Sequence, residues 1–284
     1  MDNNRPKIKI LVACHKADPN IRQDDIYMPI QVGAALHPEL DLGFQKDNEG
    51  ENISEKNPSY CELTALYWAW KNLPKDIEYV GLVHYRRYFD LNSQINTNRD
   101  CLIVDNIYKV NFSNQSARII NLMKKYDIIL SKPTIYPLSV EDEYRRCHID
   151  EDIQFTKMII REHFPEFYNI CKKVLSNNKL IHYNMFITRR EIFDEYCEWL
   201  FTILKLLESK IKLSEYDVQK RVYGYIGERL LNIYLEHYKN KLKIKYLPIF
   251  KICNDEKENL IKYNLRIFRN ELIFLLLGKN TIGE

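Results

Sequence analysis

The chain has 284 residues, of which 45% are hydrophobic and 29% are charged, and its formal net charge is +3. These fractions are typical of a soluble globular protein, and the charge is too small to indicate a nucleic-acid partner by itself. No apolar run approaches the ~20 residues of a transmembrane helix, so no membrane span is predicted. The length suits one large domain, or one domain with a helical appendage.

The cysteine pattern indicates the compartment. Residues 1–9 are polar, and the apolar run after them is too short for a secretory signal. The cysteines have no metal-ligand spacing, and free thiols in a reducing cytoplasm are the simplest interpretation. They stand at Cys14, Cys61, Cys101, Cys147, Cys171, Cys197 and Cys253.

The first third of the chain predicts strand, loop, helix and strand in that order. Residues 8–13 (IKILVA) predict a strand that is buried on both faces. The stretch 43–58 is rich in Gly, Asn and Asp and predicts a loop. A helix is expected from Ser59, because Ser59 and Glu62 have the spacing of a capping box. Residues 79–83 (YVGLV) predict a second buried strand.

The rest of the chain alternates further helices and strands. Residues 91–116 are polar and predict a long excursion between elements. A second capping box, formed by Thr188 and Glu191, predicts the start of another helix. The remaining predicted elements are strands at 126–130, 180–187 and 242–247 and helices at 150–163 and 222–238.

Strands that alternate with helices predict an α/β fold with a mostly parallel sheet flanked by helices. Ligands of such sheets bind beyond the carboxyl ends of the strands. His84, Arg86 and Arg87 follow directly after the strand at 79–83, and guanidinium groups match the geometry of phosphate. The sequence therefore predicts a phosphate-binding site at this strand exit.

Four long blocks of the sequence carry a family resemblance. They read YCELTALYWAWKN, GLVHYRRYF, HYNMFITRREIFDEYCEWLF and GYIGERLLNIYLEH, and the resemblance spans roughly residues 8–248. These blocks resemble a family of bacterial capsular and exopolysaccharide glycosyltransferases long known only as a domain of unknown function. The resemblance implies a GT-A-like, Rossmann-like nucleotide-sugar transferase fold.

The resemblance also implies roles for particular residues. GT-A enzymes typically carry an Asp-x-Asp metal motif where this sequence has His84-Tyr-Arg-Arg, so Arg86 and Arg87 are expected to neutralise the donor diphosphate. No cofactor is certain, and a divalent ion (Mn²⁺ or Mg²⁺) remains open. Glu228 lies where inverting GT-A enzymes carry the general base that deprotonates the acceptor hydroxyl. His15, after the first strand, is expected to contact the nucleotide.

Structural alternatives exist for these residues. Asn184 lies where related folds contact the sugar, but it could equally be a turn residue at a strand end. His84 could make a structural hydrogen bond, and Glu228 could form a salt bridge with Arg229. Glu62 is expected to cap its helix rather than to act in catalysis.

The C-terminal segment predicts an amphipathic helix. Residues 259–279 place apolar side chains on one face, with Lys and Arg beside them, as in helices that lie on an anionic membrane surface. Docking on the domain or in a dimer is the alternative. We therefore predict a transferase domain at 1–255 and a helical tail at 256–284.

The leading hypothesis is a cytoplasmic enzyme, peripheral on the inner face of the plasma membrane. It would transfer a sugar, with inversion, from a UDP-sugar to a lipid-linked glycan in capsular, exopolysaccharide or O-antigen synthesis. A non-catalytic glycan-binding or scaffold protein is the alternative. A single-stranded nucleic-acid binder is a remote one, because outside HYRRYF no basic stripe accompanies the near-neutral charge, and no nucleic-acid partner is expected.

Overall fold

The computed structural model describes residues 6–92, 99–255 and 259–277. The described strands are β1 (Ile8–Cys14), β2 (Tyr27–Gln31), β3 (Gln45–Lys46), β4 (Tyr79–His84), β5 (Arg87–Phe89), β6 (Cys101–Val104), β7 (Ile128–Ser131), β8 (Thr134–Ile135), β9 (Lys179–Leu180), β10 (Phe186–Arg189), β11 (Ile244–Leu247) and β12 (Ile249–Ile252). The described helices are α1 (Asn57–Tyr60), α2 (Leu63–Asn72), α3 (Gln115–Met123), α4 (Val140–Cys147), α5 (Asp150–His163), α6 (Pro165–Leu175), α7 (Arg190–Glu208), α8 (Asp217–Lys220), α9 (Val222–His237) and α10 (Leu260–Leu277).

The central sheet is mostly parallel, as predicted. Its strands lie in the order β11-β7-β10-β4-β1-β2-β3, and β1 pairs in parallel with both β2 and β4. Because these strands run in the same direction, they end at one side of the sheet, which we call the carboxyl edge. Ala13 lies opposite His84 there, and Cys14 lies opposite Gln31.

One central strand runs against the others. β10 pairs antiparallel with β4 and β7, with Phe186 opposite both Leu82 and Leu130. The residues that precede β10 therefore lie at the carboxyl edge, beside the end of β4. This reversal brings a segment from far along the chain next to His84.

The two faces of the sheet bury separate hydrophobic clusters, and the alternation along β1 explains why. Leu11 and Ala13 point into the cluster beneath α2, α5, α6, α7 and α9. Ile10 and Val12 point to the opposite face, where α3 and β12 complete the second cluster. The predicted burial of this strand on both faces is confirmed.

The predicted helix from Ser59 is interrupted. Cys61 has φ of 53° and ψ of −130°, a conformation outside the helical region, and this separates α1 from α2. The capping-box prediction was wrong at this site, since the Ser59 hydroxyl donates to the Lys56 carbonyl and no side chain caps α2. Glu62 therefore does not serve as a helix cap.

Other predicted boundaries shifted for local reasons. The second capping box was also wrong, because the Thr188 hydroxyl donates to the Asp127 carbonyl of the neighbouring strand segment. The predicted strand 180–187 divides into β9 and β10, which belong to different sheets. Pro165 ends one helix but starts the next, as proline at a first helical position can.

The C-terminal helix α10 is present, and one of its faces packs on the domain. The buried Asn270 donates its amide to the Ile135 carbonyl at 2.9 Å, and the Asp100 N–H donates to the Tyr263 hydroxyl at 3.2 Å. Within the described ranges, no helix has the length and apolar character needed to span a bilayer.

Candidate functional site

Tyr183 is the centre of a polar cluster at the carboxyl edge. Its carbonyl accepts the His84 Nε2–H at 2.8 Å, and its N–H donates to Glu228 Oε1 at 2.8 Å. The Arg87 guanidinium lies over its ring, 4.3 Å from the centroid. One residue thus ties together the end of β4, the start of β5 and helix α9.

The backbone at this point is strained. Tyr183 and Asn184 have φ of 72° and 51°, in the left-handed region that residues other than glycine rarely adopt. Such conformations persist where the surrounding contacts determine them. Here the hydrogen bonds to His84 and Glu228 supply that restraint.

Glu228 is the buried carboxylate of the cluster. It accepts the Tyr183 N–H on one oxygen and the His182 Nδ1–H and the Arg229 guanidinium on the other, both at 3.1 Å. Burial alone would raise the pKa of Glu228, but His182, Arg229 and the Tyr183 N–H together lower it to about 2. The carboxylate is therefore ionised at neutral pH.

A hydrogen-bonded chain extends from Glu228 through His182. With Nδ1–H donated to Glu228, the Nε2 of His182 accepts the Tyr136 hydroxyl at 2.6 Å. This Tyr–His–Glu arrangement fixes the imidazole ring at both nitrogens. The sequence did not indicate Tyr136 or His182 as site residues, because the bonded partners lie 46 residues apart along the chain in each case.

Arg229 binds the Glu228 carboxylate within the protein interior. Its side chain is 2% exposed and bridges Glu228 to Glu143, to which it donates at 2.8 Å. The alternative role predicted for Glu228, a salt bridge with Arg229, is therefore present in the fold. It coexists with the contacts to His182 and Tyr183 at the carboxyl edge.

Asn184 and Glu62 form a second pair beside this cluster. The Asn184 amide donates to Glu62 Oε1 at 2.7 Å and to the Gly224 carbonyl at 3.3 Å. Asn184 is 1% exposed, so its side chain holds neighbouring groups in place from below the surface. Glu62 is half-buried and brings a second carboxylate to the cluster.

Two glycines allow α9 to approach this pair. A Cβ on Gly227 would lie 2.9 Å from Leu63 Cδ1 and 3.3 Å from Asn184 Oδ1. A Cβ on Gly224 would lie 3.1 Å from the Cys61 sulfur. The glycines therefore serve close packing of α9 on the α1–α2 break, which sets the depth of Glu228.

Arg86 and Arg87 diverge although they are adjacent in the sequence. Arg86 donates Nε–H and Nη2–H to one oxygen of the buried Asp18 carboxylate, at 2.9 and 2.7 Å. Arg87 forms no ion pair within the described residues, and its Nε is buried without a hydrogen-bond partner there. The two guanidinium groups are therefore not equivalent.

His15 and Arg221 lie on the same side as Arg86. The His15 ring meets the Tyr85 ring edge-on, with 5.6 Å between centroids. Burial lowers the pKa of His15, and the charges of Lys16, Arg221 and Arg86 lower it further. Arg221, which sequence analysis missed, is exposed at the start of α9 and donates to the Cys61 sulfur at 3.2 Å.

Burial also affects His84, as it does His15. Burial lowers its pKa, although Glu62 and Glu228 act in the opposite direction. Because its Nε2–H is used by Tyr183, Nδ1 remains as an acceptor. The predicted structural hydrogen bond and a place in the cluster are both found.

The fold thus brings the predicted residues to one edge. His84, Arg87, Asn184 and Glu228 meet around Tyr183, whereas Arg86 and His15 lie on the side of the loop that carries Asp18. Over the part of the chain that the structure describes, no group of three or more His, Cys, Asp or Glu side chains is arranged to hold a metal ion.

Comparisons with known proteins agree with this architecture. The apo structure of the bifunctional glycosyltransferase WbbM superposes with a TM-score of 0.79 and is 31% identical over 87% of this chain. The match covers 46% of that structure, so this chain corresponds to about half of the larger protein. A search of curated proteins found no match. Residues 9–241 match the family described as a domain of unknown function, DUF4422, and the chain belongs to that family.

Proposed function

We propose that the chain is a GT-A-like glycosyltransferase that moves a sugar from a UDP-sugar to a lipid-linked glycan acceptor. Capsular polysaccharide, exopolysaccharide or O-antigen synthesis is the proposed pathway. The observation that carries the proposal is the cluster around Tyr183 at the carboxyl edge of a glycosyltransferase-like fold. There the Arg87 guanidinium, which forms no ion pair within the described residues, and the buried Glu228 carboxylate both contact Tyr183.

Arg87 is the proposed principal contact of the donor diphosphate. Its guanidinium lies over the Tyr183 ring, 4.3 Å from the centroid, and forms no ion pair with a described carboxylate. As the bond between the anomeric carbon and the phosphate oxygen breaks, negative charge accumulates on the leaving UDP. A fixed cation stabilises that charge more in the transition state than in the bound donor.

Arg86, Arg221 and His15 are the proposed second side of the donor site. Arg86 is 45% exposed although Asp18 holds its Nε and one terminal nitrogen, so its outer edge remains available to a phosphate oxygen. Neutral His15 is suited to hydrogen bonding with ribose or base. His84 Nδ1 is the proposed acceptor for a donor hydroxyl, and Asn184 is a positioning residue for Glu62.

Glu228 is the proposed base. Its Oε1 accepts one hydrogen bond, from Tyr183, and retains a lone pair for the acceptor hydroxyl. A carboxylate with a pKa of about 2 is a weak base, but the hydroxyl becomes strongly acidic as its oxygen bonds to the anomeric carbon. The proton therefore passes to Glu228 late in the step, and attack opposite the leaving UDP inverts the anomeric centre.

This scheme routes no step through a metal ion. Mn²⁺ or Mg²⁺ could add a counter-charge to the diphosphate, but such hard cations prefer oxygen ligands. Each carboxylate of the site already has a partner: Asp18 binds Arg86, Glu228 binds His182 and Arg229, and Glu62 accepts from Asn184. Parallel titrations of UDP with and without Mn²⁺ test this choice.

A pair of matched variants tests the assignment of the base. Glu228→Gln should reduce sugar transfer by about 10²–10⁴-fold, the usual contribution of a general base, while UDP binding persists. Glu62→Gln serves as the control, because it removes the other carboxylate of the cluster. A fully active Glu228→Gln enzyme would remove the assignment, and loss of activity in Glu62→Gln alone would transfer it to Glu62.

A further inference from the structure

Helix α10 has one face fixed to the domain. Tyr263 and Asn270 are 6% and 5% exposed, and they bond to Asp100 and to the Ile135 carbonyl. These two residues are separated by seven positions, or about two helical turns, and so lie on one side of the helix. The orientation of α10 about its own axis is therefore set.

The opposite face of α10 is apolar and open to solvent. Its members follow one another at intervals of three or four residues, which places them on a single stripe. Helices of soluble domains normally turn such a stripe toward the core. The stripe consists of Ile261 (69% exposed), Leu265 (62%), Phe268 (66%), Leu272 (45%) and Leu275 (57%).

Positive charge borders this stripe. Lys262 and Arg269 are both exposed and lie seven positions apart on the same flank of the apolar face. The helix LIKYNLRIFRNELIFLLL carries three basic residues and one acidic residue. An apolar face with cations along its margin is complementary to acyl chains beneath anionic phosphate headgroups.

The helix is also adjacent to the polar cluster of the carboxyl edge. Asn270 binds the carbonyl of Ile135, and the next residue, Tyr136, donates its hydroxyl to His182 of the chain that leads to Glu228. A surface in contact with the stripe therefore lies near the site rather than on the far side of the domain.

We propose that α10 is a monotopic membrane-binding element whose exposed stripe inserts into the interface of an anionic bilayer. Lys262 and Arg269 contact the headgroups. Tyr263 and Asn270 fix α10 to the domain, so that the domain is held next to the bilayer. The carboxyl edge is thereby held at the membrane surface. This inference does not depend on the proposed enzymatic activity, since neither donor nor acceptor takes part in the binding.

Vesicle flotation of the full chain tests the proposal. The protein should float with phosphatidylcholine vesicles that contain phosphatidylglycerol, and Phe268→Asp should lower the partition coefficient at least tenfold. Tyr108→Asp is the matched control, because Tyr108 is an aromatic residue 87% exposed outside α10. Replacing Lys262 or Arg269 by Gln should each weaken binding to the anionic vesicles about fivefold, with little effect on neutral ones.

The same samples show whether a second copy of the chain, rather than a membrane, covers the apolar stripe. Both substituted aromatic residues are exposed, so circular dichroism should show that the variants remain folded. Equal flotation of wild type and Phe268→Asp, or no flotation of either, would overturn the proposal. A dimer in sedimentation velocity that Phe268→Asp dissociates, without vesicle binding, would assign the stripe to a second copy of the chain.

Discussion

Asp47→Asn is the sharpest test of how the site is supported. The Asp47 carboxylate is fully buried and accepts from the Gly33 and Ala34 N–H groups, at 2.9 and 3.1 Å. It also accepts the hydroxyls of Ser54 and of Thr64, the latter at 2.6 Å. These bonds fix the loop after β2 to α2 near the carboxyl edge.

The amide of an asparagine cannot satisfy this arrangement in either orientation. Its oxygen can serve one backbone N–H, and a hydroxyl facing its nitrogen can rotate to accept. The other backbone N–H, of Gly33 or Ala34, would then face an amide N–H and lose its partner. One buried N–H without a partner costs about 1–3 kcal/mol, and loss of the charge-assisted hydrogen bonds adds to this cost. We therefore expect Asp47→Asn to lower the free energy of unfolding by about 3 kcal/mol.

Urea unfolding of both proteins measures this difference directly. Asp41→Asn is the matched control, because Asp41 also accepts a glycine N–H, that of Gly43 at 2.9 Å, but is exposed. The control should unfold at a urea midpoint close to that of the wild-type protein. Equal midpoints and slopes for the two variants would refute the account of Asp47 as a buried anchor.

The remaining predictions concern α9. The pKa of Glu228 is lowered from 4.5 to about 2, so its stabilising effect is present above pH 4.5 and is lost as the pH falls toward 2. Urea titrations at pH 5 and pH 3 should therefore show wild type losing about 2 kcal/mol more than Glu228→Gln, and parallel losses would contradict the shift. Gly227→Ala should destabilise the fold by about 1–3 kcal/mol, because the added Cβ would press on Leu63, although alanine favours helix over glycine by about 1 kcal/mol. A variant that is more stable than wild type in thermal unfolding would exclude this packing. Arg229→Met leaves two carboxylates without their buried cation and should cost about 3–5 kcal/mol in the same assay, whereas a neutral effect would mean that solvent reaches them.

Local patterns in the sequence were sufficient to predict much of the fold. Apolar runs located β1 and β4, and the segments 150–163 and 222–238 were correctly predicted as helices, because each signal lies within one element. The cluster at the exit of β4 followed from the general position of ligands in α/β sheets. His84 and Arg87 could be placed near a site for the same reason.

Contacts between distant segments were not predictable in this way. The reversal of β10 carries Tyr183 to the end of β4, and no residue pattern within 180–187 indicates the direction of that strand. Arg86 and Arg87 were expected to act as a pair, but Asp18, which engages Arg86, lies 68 residues away in the sequence. Cys61 interrupts a helix whose periodicity alone would have continued through it.

The most direct test of the central claim is the affinity of UDP for the protein and for Arg87→Met, measured by isothermal titration calorimetry. Arg161→Met is the control, since Arg161 is exposed on α5. Hydrogen bonds to charged groups contribute about 1.5–3 kcal/mol, so Arg87→Met should weaken UDP binding by about 10–100-fold while the control binds like wild type. Unchanged affinity in Arg87→Met, or no binding of UDP to the wild-type protein, would contradict the account of a donor site at the carboxyl edge.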